Sequence, residues 1–278
     1  MTPGQALRDR SMVRSETLML LAHASGRTRE SLIASPEATL PHDVASEYER
    51  LRARRIAGEP VAYLLGHREF YGRRFAVDPR VLIPRPETEL LIDLICAGPE
   101  SPGSILDLGT GSGVIAITLA LERPAAIVTG TDVSADALEI ARVNGRALNV
   151  SVAWHEGSWF EALDEGRRFD LIVSNPPYIA IDDSHLGEGD LRFEPQSALT
   201  DGHDGLDAIR CIVAGAPSRL TRSGRLMVEH GHDQAALVRS LFVSGGFVDI
   251  ASSRDLAGIE RITVGTLAGG VDGQQRRD

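Results

Sequence analysis

Lysine is absent from this chain of 278 residues: all 29 basic residues are arginine. That excludes a phosphate loop of the Gly-x4-Gly-Lys-Ser/Thr type, a Schiff-base lysine, and pyridoxal phosphate anchored on a lysine amine. A compositional bias of the genome is the simplest source of the absence, and the exclusion holds whatever its cause. Cysteine is nearly absent too. Cys96 and Cys211 lie far apart and match no metal-ligand spacing. They fit small core residues in a reducing compartment, so a cytoplasmic protein without a metal centre is expected. No apolar run reaches the roughly 18 residues of a membrane span. The opening MTPGQALRDR lacks the apolar stretch of a signal peptide. Positive charge is also short: 39 acids give a formal net charge of −10, which argues against a protein that coats nucleic acid.

What is present is unevenly distributed. Residues 1–80 hold 13 Arg and 10 acids, whereas residues 81–278 hold 16 Arg and 29 acids. The first part reads as helical. Residues 15–24 carry Leu18, Leu21 and Ala22 at helical spacing, with Gly26 as the stop. Asp43 is placed to cap a second helix containing Val44, Tyr48, Leu51 and Ile56, with Arg50, Arg52, Arg54 and Arg55 on its polar face and Gly58-Glu59-Pro60 at its end. Residues 68–71 and 74–77 then read as two strands around Gly72, and Pro79, Pro84 and Pro86 stiffen a linker. From Glu87 on, strands predicted at 104–108, 126–131, 151–154, 169–174 and 225–230 alternate with helices, notably 113–122 and 135–148. Such alternation implies right-handed crossovers and a parallel sheet covered on both faces. Residues 246–250 and 259–267 leave no room for a helix between them and are expected to pair as an antiparallel hairpin. The expected division is a helical domain over 1–67, a hairpin and linker over 68–86, an α/β domain over 87–267 and a disordered tail over 268–278.

The chemistry begins after the first strand of the alternation, in Gly109, Thr110, Gly111, Ser112 and Gly113. Alternate glycines let a backbone turn sharply and approach a ligand at a helix N-terminus; any doubly wound fold also uses such a tight turn. A dinucleotide fingerprint wants glycine at 114, which is Val114 here. Glycines at 109, 111 and 113 have instead the form typical of S-adenosylmethionine sites. Asp132 ends the next strand, 23 residues after Gly109, and can accept bonds from both ribose hydroxyls, although an acid there also serves as an ordinary helix cap, a role open to Ser134. Trp159 follows the third strand, where an adenine would stack; a tryptophan in this setting is also ordinary core.

The most specific feature is Asn175-Pro176-Pro177-Tyr178, delivered by the strand at 169–174. Two prolines fix the backbone and leave carbonyls without competing N–H donors. The Asn175 side-chain oxygen and a carbonyl of the proline region then offer two acceptors spaced as the hydrogens of a planar amine are, and Tyr178 offers a face for the attached π system. That suits N-methylation of an amide or aryl amine. Holding both N–H groups favours a pyramidal nitrogen whose lone pair faces the sulfonium methyl, and fixed carbonyl dipoles stabilise the positive charge that develops. No strong general base is needed, which fits the scatter of His185, His203, His230 and His232.

These motifs resemble the bacterial peptide chain release factor glutamine N5-methyltransferase family, PrmC/HemK, over roughly residues 45–266. The resemblance extends to residues 58–66 (GEPVAYLLG), Arg68-Glu69-Phe70, residues 82–89 (LIPRPETE), Arg192-Phe193-Glu194-Pro195, Asp204-Gly205-Leu206 and Glu229-His230-Gly231. It implies an N-terminal helical domain that grips the protein substrate, a β-hairpin linker, and a seven-stranded class I S-adenosylmethionine-dependent methyltransferase domain of Rossmann-like fold. The implied substrate is the glutamine of the Gly-Gly-Gln loop of class 1 release factors. By the same resemblance, residues 109–113, Asp132, Trp159 and Asn175 contact S-adenosylmethionine, while Asn175, Pro176, Pro177 and Tyr178 hold the glutamine amide, with Asn175, Pro176 and Tyr178 as the catalytic set. No metal, direct nucleic-acid contact or membrane is implied, and the chain is expected to be monomeric.

Three rival readings share these residues. A DNA adenine N6-methyltransferase uses a similar loop on another planar amine but should carry a basic target-recognition domain; here the sheet continues after Tyr178 and this half is acidic. A relative acting on a ribosomal protein's glutamine would differ mainly in the N-terminal part. A non-catalytic module keeping only the fold would be favoured by loss of Asn175 or of the loop glycines, and both are intact. The arginines at 50–55 offer a face that could dock an acidic release-factor surface or simply be solvated.

Overall fold

The computed structural model of the protein describes residues 1–99 and 101–268. The tail expected to be disordered therefore lies, from residue 269 on, outside the described residues. Five helices open the chain: α1 (Pro3–Arg8), α2 (Arg14–Ser25), α3 (Arg29–Ala34), α4 (His42–Ile56) and α5 (Val61–Leu65). They bury Leu18, Leu20, Leu21, Leu32, Tyr48, Leu51 and Leu64 in a core of their own. Each such side chain contributes about 1.5–3 kcal/mol when fully buried. Gly26 stops α2 in the left-handed conformation, as read. Asp43 is not the cap of α4. Pro41 occupies that place, its carbonyl accepting from the Ala45 N–H, and Asp43 sits in the first turn, where a carboxylate favours the positive end of the helix dipole.

The arginine face of α4 is extensively ion-paired. Arg50 pairs with Glu47, Arg52 with Asp9 and Glu49, and Arg54 with Glu59. Arg55 reaches both Glu16 and Asp190, each at 2.9 Å. The charge that stood out in the sequence is thus matched largely within the molecule, and Arg55 ties the helices to a loop of the α/β part.

Two short antiparallel strands follow, β1 (His67–Phe70) and β2 (Arg73–Ala76). Phe70 and Phe75 meet edge to face at 6.2 Å and enter the core under the main sheet. That sheet comprises β3 (Ser104–Leu108), β4 (Ile127–Asp132), β5 (Ala153–Glu156), β6 (Phe169–Ser174), β7 (Leu220–Glu229), β8 (Phe247–Arg254) and β9 (Glu260–Leu267), in the order β5-β4-β3-β6-β7-β9-β8. The first five strands are parallel, and β9 and β8 close the edge as the expected antiparallel hairpin. Helices α6 (Glu89–Ala97), α7 (Val114–Glu122), α8 (Ala135–Ala147), α9 (Asp207–Gly215) and α10 (Ala235–Ser244) cover it, with separate cores on its two faces. The strand order reverses between β3 and β6, and ligands of open α/β sheets bind outside the carboxyl ends of the strands at such a switch point.

The two cysteines are not both core residues. Cys96 is half-buried and Cys211 exposed, because Ala208, Ile209, Ile212 and Val213 supply the buried face of α9 and Cys211 lies off it. Among the described residues, no helix is long and apolar enough to cross a membrane.

One side chain couples the hairpin to the sheet. Asn144 of α8 is buried; its Oδ1 accepts from the Ala76 N–H (2.7 Å) and its Nδ2 donates to the Ala76 carbonyl (3.0 Å) and to that of Ser112 (2.9 Å). Replacing it strands buried backbone groups that water cannot reach. Asn144→Leu is expected to cost about 1–3 kcal/mol, read as a lower urea midpoint at unchanged slope; an unchanged midpoint would show that the bridge is dispensable.

Candidate active site

The loop leaving β3 takes a left-handed conformation at Gly109, Gly111 and Gly113. At Gly111 a Cβ would meet nothing within 4 Å: it would project into a cavity of about 440 Å³, within the usual size of a small-molecule site. Gly113 is the N-cap of α7. The cavity brings together Gly109, Thr110, Gly111, Ser112, Asp132, Trp159, Asn175 and Pro177 from the ends of β3, β4, β5 and β6. Gly113, Pro176 and Tyr178 are not among its lining residues.

Asp132 accepts from the Gly111 N–H through Oδ2 (2.8 Å) and from the Ser134 N–H through Oδ1 (2.9 Å). Each oxygen keeps a lone pair for a hydroxyl donor. Ser134 caps α8 instead, accepting from the Ala137 N–H, so the capping role open to Asp132 in the sequence belongs to its neighbour. Burial raises the Asp132 pKa, against the pull of these N–H donors. Asp107, one turn below the loop, is fully buried. Its Oδ2 accepts from the Thr110 hydroxyl (2.5 Å) and the Ala116 N–H (3.1 Å), while Oδ1 has no partner. Burial pushes its carboxyl up to about 7.

Trp159 carries a left-handed backbone, φ 45°, which a bulky residue adopts only when its surroundings impose it. Its ring approaches Gly109 and packs against the second core while lining the cavity. The two roles open to it in the sequence are therefore compatible.

The roof of the cavity comes from the segment before α6, which the sequence offered only as a motif. Pro84, Arg85 and Thr88 line it, as do Pro195, Ser197 and Ala198. Glu194 joins the two sets from a fully buried position. It accepts from the Ile83 N–H (2.9 Å) and from Arg85 Nη2 (2.6 Å). A charge-assisted pair of this kind is about twice as strong as a neutral hydrogen bond. Phe193 packs against a cluster that includes Ala62, Tyr63, Val81, Ile83, Ala137 and Ile140, so the helical domain, the roof and α8 share one apolar contact.

At the reacting end, Asn175 Nδ2 donates to Thr88 Oγ1 at 3.1 Å, leaving Oδ1 as the acceptor. Pro176 is buried, and Tyr178 packs against the second core with its hydroxyl 3.4 Å from Oε1 of buried Glu229. Tyr178 thus braces the loop from behind rather than lining the cavity. Its backbone is braced too. Gln234 Nε2 donates to the Tyr178 and Gly205 carbonyls (3.0 and 3.2 Å), and a Cβ on Gly205 would fall 2.3 Å from the Tyr178 oxygen, so no larger residue fits there. His230 is buried, bonded to the Gly231 carbonyl and Thr263 hydroxyl; burial lowers its pKa, which suits a structural, neutral imidazole.

Among the described residues no group of three or more His, Cys, Asp or Glu is placed to hold a metal ion. What the cavity offers is a glycine-lined backbone cradle, one acid with spare acceptor sites, an aromatic wall and an amide oxygen. These donors suit a neutral-to-cationic ligand with hydroxyls and a flat ring, which fits S-adenosylmethionine.

The raised acids have a thermodynamic consequence. Asp107, at about 7 against 3.8 in the unfolded chain, binds its proton more tightly when folded. Its contribution to stability is complete below about pH 4 and is lost as pH rises through about 7. Asp107→Asn, which keeps the acceptor for Thr110, is expected to flatten the fall in stability between pH 5 and 8 in urea titrations; an unchanged slope would place the proton elsewhere.

Comparison with known proteins bears on this geometry. The family model "PrmC N-terminal domain" matches residues 4–66 and "Methyltransferase small domain" matches residues 86–187. A release factor glutamine methyltransferase of Neisseria gonorrhoeae is 51% identical over 90% of this chain and 92% of its own length. One of Bordetella pertussis is 50% identical over 94% and 97%. Among solved structures, a methyltransferase from Pyrococcus furiosus superposes with a TM-score of 0.56 at 18% identity, covering 79% of this chain and 99% of that one. The 16S rRNA N2 G1207 methyltransferase of Thermus thermophilus, solved with AdoMet and guanosine, gives 0.54 at 19% over 72% and 49%. These two share the fold alone. With about half of its residues identical to theirs across at least 90% of its length, the chain belongs to the release factor glutamine methyltransferase family and is a methyltransferase.

Proposed function

We propose that this protein transfers the methyl group of S-adenosylmethionine to the side-chain amide nitrogen (N5) of the glutamine in the Gly-Gly-Gln motif of class 1 peptide chain release factors, in the cytoplasm and as a monomer, modulating translation termination. The observation that carries the reading is the position of Asn175. It projects from the end of β6 into the cavity that the glycine loop and Asp132 line, with its amide nitrogen engaged by Thr88 and its oxygen left over.

Residues 109–112 would hold the amino acid end of the cofactor, with Gly113 turning the loop into α7, while Asp132 would hold the ribose hydroxyls and Trp159 the adenine. Bound there, S-adenosylmethionine supplies a sulfonium methyl. Asn175 Oδ1 and a carbonyl of the proline pair accept the two N–H groups of the glutamine amide, withdrawing the nitrogen lone pair from conjugation. Prolines at 176 and 177 carry no N–H that would compete for those acceptors. Positive charge would develop on the amide nitrogen as it takes the methyl, and these fixed acceptor dipoles would stabilise it. The methylated nitrogen then loses one proton to water, so no side chain has to act as base. Tyr178 positions the loop through the Glu229 contact. Residues 1–67 grip the protein substrate, 68–86 link, and 87–267 carry the chemistry; the separate helical core and the Phe70–Phe75 hairpin support that division.

The −10 charge speaks against DNA as the substrate, since phosphate neutralisation supplies most of such binding. Purified protein with methyl-labelled S-adenosylmethionine is expected to label unmodified release factor on one glutamine. Labelled DNA or ribosomal protein with an unlabelled release factor would overturn the proposal. Asn175→Ala is expected to lower kcat at least a hundredfold, about 2.7 kcal/mol in barrier. Cofactor affinity should stay within about threefold by calorimetry, since Asn175 faces the amide; equal losses in both would make it a cofactor ligand only.

A further inference from the structure

Which end of the Asn175 amide faces the substrate is decided by its neighbours. Oxygen and nitrogen of an amide are sterically alike, so their orientation is fixed by hydrogen bonding. Presented outward, the oxygen accepts an N–H; the nitrogen would instead confront the substrate's –NH2 with a second donor. The neighbour that determines this is Thr88, 2% exposed, at the N-cap of α6. A threonine there ordinarily turns its hydroxyl to the helix N–H groups. Thr88 makes no such bond and meets Asn175 Nδ2 at 3.1 Å instead.

Behind Thr88 lies Glu229, at the end of β7 and 1% exposed. Its carboxyl interacts with the Thr88 hydroxyl and with the Tyr178 hydroxyl at 3.4 Å through Oε1, while Oε2 has no hydrogen-bond partner. A carboxylate only accepts. A buried hydroxyl that accepts from Asn175 has to turn its own proton elsewhere, and the unpartnered oxygen of Glu229 is the acceptor on that side, which leaves the Thr88 lone pairs for Asn175. Asn175 can then answer only with its NH2, and Oδ1 points outward.

We propose that Thr88 and Glu229 are positioning residues that set the polarity of the catalytic amide, an ionised Glu229 holding Asn175 Oδ1 toward the substrate through the Thr88 hydroxyl. This rests on the assignment of the glutamine amide to Asn175. It also gives the Pro-Glu-Thr-Glu and Glu-His-Gly motifs, far apart in sequence, a joint purpose. When Glu229 takes up a proton, the constraint lifts: Thr88 is free to donate to Asn175 Oδ1, and the amide turns its NH2 outward. The groups facing Glu229 are Thr88, Tyr178, the Arg261 guanidinium from β9 and Glu87 beside Thr88. Burial raises the Glu229 carboxyl to about 7, with Thr88, Arg261 and Tyr178 pulling it down and Glu87 pushing it up. The change of polarity therefore falls in the neutral range.

The test compares wild type with Thr88→Val, Thr88→Ser, Glu229→Gln and the double variant Thr88→Val/Glu229→Gln on release factor at saturating cofactor. Each of Thr88→Val and Glu229→Gln should lower kcat at least tenfold at pH 8, with KM for the release factor within about threefold and cofactor Kd unchanged. The double variant should be no worse than either single one, as for two members of one chain of contacts, and Thr88→Ser should restore turnover. Wild-type kcat should rise with pH through about 7, and that limb should vanish in Glu229→Gln. Asp107 and Asp132 also have raised pKa values, but they act on the cofactor half, so their titration appears in cofactor Kd and not in kcat at saturation. A second readout needs no turnover: the side-chain 15N–H signals of Asn175 in the wild-type protein without ligands should shift with a midpoint near pH 7 and stay fixed in Glu229→Gln. Wild-type activity with unchanged kcat in both single variants, multiplying losses in the double variant, or Asn175 signals insensitive to pH would each overturn the relay. An inactive wild type would instead refute the substrate assignment, leaving the spectroscopic arm to decide the relay.

Discussion

Burial of acids at the carboxyl edge of a parallel sheet is the constraint on which this site is built. Asp107, Glu194 and Glu229 are buried there, and Asp132 is half-buried at the cavity wall. An isolated carboxylate in such a place is costly, and it persists only where donors converge on it. The donors are the structure of the site: Gly111 and Ser134 N–H on Asp132, Thr110 and Ala116 on Asp107, Ile83 N–H and Arg85 on Glu194, Thr88 and Tyr178 on Glu229. Each acid thereby fixes a different piece of chain, respectively the cofactor loop, the strand-to-helix turn, the roof, and the brace behind the reacting amide.

The acids do not behave alike because their donors differ. Glu194 faces a guanidinium, whose charge no pH of interest removes. Asp107 and Glu229 face mostly hydroxyls and amides, each keeps one buried oxygen without a partner, and burial raises both to about 7. The roof is thus held by an ion pair, whereas the acids under the cofactor loop and behind the Asn175 loop have carboxyls raised toward neutrality by burial.

Much of this was legible beforehand, for reasons that can be named. The alternation from Glu87 on read correctly because strands buried on both faces are continuous apolar runs, as in Ser104–Leu108 and Phe169–Ser174. Strands with polar ends were read short: β7 begins at Leu220, where Thr221-Arg222-Ser223 hides the pattern, and β8 runs through polar Ser252-Ser253-Arg254 because it is an edge strand. Helices α1, α3 and α5 have five or six residues each, too few for a 3.6-residue period to show. In the site, Gly109 through Gly113, Asp132 and Asn175 are local motifs at strand ends and could be found by spacing. Thr88 and Glu229 could not be assigned a task, since their partner Asn175 lies 87 residues from one and 54 from the other, and only the fold brings them together. Pro176 and Tyr178 were placed in the right loop, but which of its side chains face the cavity depends on loop backbone that no periodicity encodes.

Arg55, reaching from α4 to Glu16 on one side and Asp190 on the other, fastens the helical part to the α/β part with a guanidinium, like every side-chain ion pair of this chain that uses neither lysine nor histidine. Because the chain has no lysine at all, reagents that acylate, cross-link or conjugate side-chain amines find nothing to react with. Thiol chemistry has two sites of different access, exposed Cys211 and half-buried Cys96. A maleimide probe at exposed Cys211 on α9 would label the molecule through sulfur and leave every arginine chemically unmodified.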